Sequence, residues 1–333
     1  MAGRSAHREP GPSKYGLHGM ALRLTVQRAA WEAHIDTLAA AIDGLVPVVK
    51  GNGYGFGRAI LHPLVKGLSD FVCVGTIYEL DHIGERVTPV VLTPTVEPPT
   101  TPGAMPILTV GSVADVHALR SWRGRVLVKL QSSMRRFGAA PEEVDDVVAG
   151  VAAANLDLAG YSLHLPLAGS ESDKIAEVDA WLDRVDVSQP LWLSHLLPQS
   201  YAQIRARNPD RLFHLRLGTA LWHGDKSCLG LSADVLAVHP VQSGDTAGYR
   251  LTEVPGDGHV VLVSAGTAHG VAPLPNGASP FHFARTRLAM LEPPHMHTSM
   301  VFVPAGAACP AFGDRVDVQR PLISTLVDRI EWA

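Results

Sequence analysis

Lys50 ends the apolar run 45–49 and opens the stretch Gly51-Asn52-Gly53-Tyr54-Gly55-Phe56-Gly57. A lysine set against an apolar wall loses solvation, which disfavours its charged form and lowers its pKa. A neutral amine can attack an aldehyde and hold a Schiff base. Glycines on either side let the backbone approach a ligand closely. Their spacing matches neither G-x-x-x-x-G-K nor G-x-G-x-x-G, so a nucleotide loop is not indicated. The alternative is a lysine that is structural or merely exposed. A second candidate is His295-Met296-His297. Histidines two apart in a strand point the same way and could ligate a divalent metal, serve as a base, bind a carboxylate or lie idle at the surface. The chain has 16 histidines and no third ligand stands out, so no metal is assigned.

The elements that must position these groups fall into two textures. From about residue 27 to 230, short β-branched runs alternate with helical patterns. The predicted strands are 46–50, 71–74, 90–92, 107–110, 126–130, 158–164, 191–195 and 212–217, with helices over 112–122, 141–155 and 173–185. Ser112 and Pro141 are good helix openers. Repeated strand–helix alternation implies a parallel sheet under helical cover. About eight strands over some 200 residues suit a (β/α)8 TIM-like barrel, whose strand C-termini face the catalytic mouth. The proline-rich stretch 95–105 lacks a clear helix. After about Asp234 the strands 235–242, 259–265, 286–291, 298–303 and 315–318 follow one another through Gly, Pro and Asp turns, which predicts an all-β C-terminal domain. The expected organisation is a disordered leader over 1–19, a barrel over 20–233 whose first strand, 21–27, packs with the β-domain, and the β-domain over 234–333.

Composition narrows the function. Of 333 residues 46% are hydrophobic and 18% charged, enough apolar material for a large core. A net charge of −4 without a dense basic run argues against a nucleic-acid groove or an anionic membrane surface. No apolar run reaches the roughly 18 residues a membrane helix needs. Residues 1–19 are polar and lack the apolar stretch of a secretory signal. Three scattered cysteines, Cys73, Cys228 and Cys309, form no disulfide pattern and fit a reducing compartment. The expected location is the cytoplasm.

The run 48–57, V-V-K-G-N-G-Y-G-F-G, resembles the cofactor-lysine motif of the alanine racemase family, whose usual form is V-V-K-A-N-A-Y-G-H-G. Lysine, asparagine, tyrosine and two glycines fall in register, while Gly51 and Gly53 replace alanines and Phe56 replaces the histidine. Residues 125–138, R-V-L-V-K-L-Q-S-S-M-R-R-F-G, resemble the family's strand H-L-K-V-D-T-G-M-G-R-L-G, with Lys129, Met134 and Arg136 in step. Residues 160–164, G-Y-S-L-H, resemble G-L-M-T-H, and 215–224, L-R-L-G-T-A-L-W-H-G, resemble V-R-P-G-I-A-L-Y-G. Ser200 matches the serine of an N-S pair, with Gln199 for the asparagine.

The resemblance implies a fold-type III enzyme in which Lys50 carries pyridoxal 5'-phosphate. It implies cofactor-binding roles for Lys50, Tyr54, Arg136, His164, Ser200, Arg216, Gly218 and Thr219, and substrate-binding roles for Arg136 and Met296. Lys129 would be the residue, often carbamylated in the family, that orients Arg136. Arg216 would face the pyridine nitrogen without surrendering a proton, which favours simple loss and return of the α-proton. The resemblance also implies a homodimer and a racemase for a small amino acid, with alanine the expected one. Its partners would be that substrate, with no nucleic acid and no membrane. Racemisation needs an acid or base on each face, and the family's second base is a tyrosine in G-Y-A-D-G-Y. Here Thr267 falls at that position, in V-S-A-G-T-A-H-G-V over 263–271, and threonine has no usable pKa. His269, two residues on in an extended strand, is the first candidate for a surrogate, and His297 the next. The rivals are a lyase, decarboxylase or D-amino-acid aldolase or dehydratase on the same scaffold, or a cofactor-binding protein without turnover.

Overall fold

Every second segment of the chain's first two thirds is an apolar, β-branched run, and these runs assemble into one parallel sheet. The computed structural model describes residues 21–100, 105–224 and 226–333, and the expected leader over 1–19 lies outside them. The described chain divides into two compact units, one of residues 27–229 and one joining the N-terminal strand to residues 230–333.

The N-terminal strand β1 (Leu22–Val26) belongs to the second unit, and helix α1 (Arg28–Ala41) opens the first. Eight parallel strands follow: β2 (Leu45–Pro47), β3 (Phe71–Val74), β4 (Thr88–Pro94), β5 (Ile107–Val110), β6 (Arg125–Leu130), β7 (Asp157–Leu163), β8 (Leu191–Ser194) and β9 (Phe213–Leu217). Their spatial order is β2-β9-β8-β7-β6-β5-β4-β3. A parallel bridge between Val48 and Cys73, with the Val49 N–H on the Cys73 carbonyl at 2.8 Å, carries the β2 end of the sheet to the β3 end. The result is the nearly closed (β/α)8-type barrel that the alternation implied. The residues of β5, β8 and β9 are buried throughout, as parallel strands covered on both faces must be.

Helices α2 (Arg58–Val65), α3 (Val113–Ala118), α4 (Val144–Ala153), α5 (Glu171–Leu182), α6 (Pro198–Arg207) and the single turn α7 (Thr219–Trp222) complete this unit. Ser112 caps α3 by accepting the Asp115 N–H. Ser170 and Asp173 form a reciprocal capping box that starts α5 before the expected residue 173. Among the described residues no α-helix lies between β4 and β5, where prolines block one, and only a 3₁₀ turn (Ile77–Glu79) lies between β3 and β4.

The second unit is antiparallel apart from β1, which runs parallel to Arg329–Trp332. A long strand, β10 (Leu229–Val241), pairs with Gly258–Val263 and Arg315–Val318, and Gly258–Val263 pairs with Ser299–Pro304. Leu22, Val235, Val261, Val263, Phe281, Val301 and Val316 form its core. The expected strand 286–291 is instead two short pieces: Thr286–Arg287 folds back on Phe281–Phe283, while Ala289–Met290 joins Ser299–Pro304. Ala284 and Arg285 both hold positive φ, 47° and 64°, and make the tight turn that sets up this split. No described helix is long and apolar enough to cross a membrane.

Candidate active site

β2 ends at Pro47, and the extended path continues through Val49, so Lys50 emerges just past the C-terminal end of the strand. Gly51, Gly53, Tyr54, Gly55 and Gly57 all hold positive φ, 59°, 62°, 56°, 91° and 86°. At Gly53 a Cβ would stand 2.6 Å from the Arg58 backbone nitrogen, so a side chain there is excluded on space as well as on φ. Tyr54 bears the strain of a left-handed conformation without that excuse, a mark of a segment held by its surroundings.

The hold comes from α7 and α1. The Trp222 indole donates to the Val48 carbonyl at 2.7 Å, His223 Nε2 bonds the Tyr54 carbonyl at 2.7 Å, and the Trp31 indole donates to the Trp222 carbonyl at 2.7 Å. Phe56 stacks on Trp31 with ring centroids 5.1 Å apart, using an aromatic ring where the motif's histidine would stand. The buried Tyr54 hydroxyl lies against the backbone of Gly218, where any Cβ would be 2.0 Å from it. Glu79 ties the other side, accepting the Gly51 N–H at 3.0 Å and the Gly75 N–H at 2.7 Å.

Lys50 itself stays exposed to solvent, yet enough protein surrounds its amine to lower its pKa by desolvation, and Arg136 and Arg216 lower it further. Lys129, on β6, is buried, and desolvation followed by Arg216, Arg136 and Lys50 brings its pKa to about 7. These four cations form no salt bridge with a carboxylate among the described residues. Instead, fully buried Arg216 gives Nη2 to the carbonyls of Leu163 (2.8 Å) and Trp192 (3.3 Å) and Nε to that of Leu193 (3.3 Å). Its Nη1 makes no hydrogen bond among the described residues. His164, at the end of β7, is held far below its usual pKa, first by burial and then by Arg216 and neighbouring cations. Its Nδ1 bonds Ser194 Oγ at 2.6 Å.

Lys50, Lys129, Arg136, His164 and Arg216 therefore gather at one end of the barrel, with Tyr54 and Gly218 in contact beside them. Thr219 opens α7. Ser200 is buried near the start of α6. Two further residues belong to this end. His195 packs beside His164 with rings tilted by 53° and centroids 4.5 Å apart, meets the Leu165 carbonyl through Nδ1 at 2.8 Å and holds φ of 62°. Its signal was its place at the end of a predicted strand. Glu79 had no signal, because its link to residue 51 joins positions 28 residues apart in the chain.

In the second unit the expectations for His269, His295 and His297 meet a different geometry. Thr267–His269 is a 3₁₀ turn, so Thr267 is exposed while His269 is buried, and the two do not share a face. His269 Nδ1 accepts the Gly266 N–H at 3.1 Å, so Nε2 carries the proton it shares with Asp328 at 3.1 Å. Residues 295–297 form a loop rather than a strand, and the two histidines face different neighbours. His297 meets the His269 ring edge-on at 6.0 Å, whereas His295 Nε2 bonds the carboxylate of Glu292. Among the described residues no group of three His, Cys, Asp or Glu side chains could hold a metal. Met296 is exposed, and its carbonyl accepts the Ala268 N–H at 2.8 Å.

The family model described as alanine racemase, N-terminal domain, matches residues 26–225. No curated protein matches the chain in sequence. Among solved structures, the chain is similar to alanine racemase from Bartonella henselae with covalently bound pyridoxal phosphate, at 18% identity and TM-score 0.69 over 91% of each chain. It is also similar to alanine racemase from Bacillus anthracis with bound L-Ala-P, at 19% identity and TM-score 0.71 over 89% of this chain and 85% of that one. Alanine racemase from E. faecalis shares 20% identity, at TM-score 0.68 over 91% and 89%.

Proposed function

The chain belongs to the alanine racemase family, and from that premise we propose that it is a pyridoxal-phosphate-dependent amino-acid racemase, acting on alanine or a similarly small amino acid. The observation that carries the reading is an exposed, pKa-lowered Lys50 at the mouth of a barrel, amid cations that form no salt bridge with a carboxylate among the described residues.

The donor set fits that cofactor. Lys50 would hold its aldehyde carbon, and the uncompensated charge of Lys129, Arg136 and Arg216 suits a group bearing phosphate and phenolate oxygens. The Tyr54 hydroxyl, the Gly218–Thr219 backbone and Ser200 would take the phosphate. Arg216, anchored by three carbonyls, presents Nη1 as a fixed donor; a guanidinium does not give up its proton at working pH. When bound, pyridoxal phosphate supplies the electron sink that makes an α-C–H bond of an amino acid acidic.

The chain's own groups then move the proton. Desolvation and two arginines keep a larger share of Lys50 neutral than an ordinary lysine would have, which suits it to take and return the α-proton on one face. Arg136 and Met296 are the proposed contacts of the substrate carboxylate side, and His269 and His297 the sequence-based candidates for the opposite face. We further propose a homodimer on the family pattern; a stable monomer at micromolar concentration by sedimentation would contradict it.

The test is direct. Protein mixed with pyridoxal phosphate should turn yellow, and borohydride should fix the group to residue 50. With L-alanine in deuterated water, label should wash into both enantiomers. Release of ammonia or an aldehyde would favour the lyase reading, to which the exposed threonine at 267 lends weight, since one-faced chemistry needs no phenol there. A bound cofactor with no exchange at all would favour binding without turnover.

A further inference from the structure

The residue that follows Lys50 is gripped by charge on both sides. Gly51 is exposed, holds φ of 59° and has open space where a Cβ would stand. A glycine has no side chain to pack, so only its peptide groups can be held. Oε1 of Glu79 accepts the Gly51 N–H at 3.0 Å, while Oε2 accepts the Gly75 N–H at 2.7 Å. From the other direction, Nη1 of Arg58 donates to the Gly51 carbonyl at 2.9 Å. Arg58 is itself aimed by Asp81, whose carboxylate accepts Nε at 3.3 Å and Nη2 at 3.0 and 3.2 Å.

Both acids come from one stretch, the 3₁₀ turn after β3 and the residues just beyond it. Gly75 opens that stretch, and a Cβ there would lie 2.9 Å from Oε2 of Glu79. Hydrogen bonds to an ionised partner are roughly twice as strong as neutral ones. Here they fall on the first residue of a glycine-rich segment, where the backbone has the most conformations to lose.

Glu79 also faces the amine electrostatically. The groups that act on Lys50 are Lys129, Arg136, Arg216, Cys73, His195 and Glu79. Burial pushes the Cys73 thiol up to about 12 and holds the His195 imidazole below its usual value, so neither is charged near pH 7. Among these neighbours Glu79 brings the negative charge, and it opposes the lowering of the Lys50 pKa by burial and the two arginines. A group that must return a proton as well as take one works best when neither state is strongly disfavoured.

We propose that Glu79 and Arg58 are positioning residues for Lys50: they clamp the Gly51 peptide groups from both sides, and Glu79 sets a negative charge facing the amine. The proposal rests on the racemase reading for its purpose, since the amine so held is the one that would move the α-proton.

The experiment uses the full-length protein. Without cofactor, acetylation of Lys50 by acetic anhydride is followed against pH by mass spectrometry, and amide hydrogen exchange is measured at Gly51. Glu79→Gln should move the acetylation midpoint toward lower pH by about one pH unit and speed Gly51 exchange by about tenfold or more. Arg58→Met should speed Gly51 exchange too, with the midpoint unmoved, and decides the clamp alone if Glu79→Gln does not fold. Loaded with pyridoxal phosphate, both variants should lose about 10- to 100-fold in kcat for alanine with little change in KM. An unmoved midpoint in Glu79→Gln, or unchanged Gly51 exchange in the folded variants, overturns the proposal, as does an undiminished kcat. A wild-type protein that binds no pyridoxal phosphate, or exchanges neither enantiomer of alanine in deuterated water, overturns the racemase reading instead, and the two cofactor-free measurements tell these failures apart.

Discussion

The cation cluster at the barrel mouth and the buried ions of the C-terminal unit are handled in opposite ways. In the C-terminal unit each buried ion has its partner: Arg23 bonds both Asp234 and Glu331, and Glu292 holds His295. In the barrel, Lys129 and Arg216 are buried beside Lys50 and Arg136, with no carboxylate bridging any of the four among the described residues. Paired ions stabilise a fold at best modestly and are costly to break, whereas unpaired ones cost stability until something anionic arrives. The comparison separates a region organised for its own integrity from one organised for a ligand.

The largest effect that would break this contrast concerns Lys50. Replacing it with alanine should abolish the borohydride-fixable yellow form and slow α-proton exchange on the order of 10⁴-fold, measured by deuterium incorporation; retained exchange would mean the cation cluster serves something else. In the paired unit, Asp234→Ala leaves Arg23 buried against Glu331 alone and should cost about 3–5 kcal/mol in denaturant unfolding. In the unpaired cluster the sign should reverse. Lys129→Met should stabilise the cofactor-free protein by a few kcal/mol, on the order of the penalty for charging a buried amine, and a loss of stability there would refute the comparison.

A smaller effect is the pH dependence behind that reversal. In the folded chain Lys129 loses its proton near pH 7, while an unfolded lysine keeps its proton to about 10.5. Between those values the unfolded state binds more protons, so stability should rise with pH by up to about 1.4 kcal/mol per unit, and lie flat below about 7. Lys129→Met should remove that rise in a series of melts. The smallest effect is at His62 on α2, buried with neither ring nitrogen hydrogen-bonded among the described residues. His62→Leu should gain about 1 kcal/mol by replacing an unsatisfied polar ring, and a destabilised variant would reveal a partner that the geometry lacks.

Much of the barrel was legible because parallel strands buried on both faces are continuous apolar runs, and the helices between them carry readable caps such as Ser112. Strands 71–74, 107–110 and 315–318 were predicted to the residue. The C-terminal unit was harder to read. Its strand 286–291 is alternating in character, but a two-residue turn at Ala284 and Arg285 divides it between two partners. The histidines at 269, 295 and 297 were visible by type, yet their directions were misjudged, since period-two reasoning holds only in strands and these lie in a turn and a loop.

By itself, the amino-acid order determined which residue types could do the chemistry and where the mouth of a barrel would present them, because hydrophobic period and motif spacing are local properties. It singled out Lys50 as the candidate amine and Arg216, on a neighbouring strand, as its expected companion. Only the tertiary structure decided that Lys129 is buried among cations, that Arg216 is held by carbonyls rather than an acid, that Glu79 braces the lysine loop, and that Glu292 meets His295 while Asp328 meets His269. Those are facts about desolvation and about partners far apart in the chain, and neither is written in any local stretch of sequence.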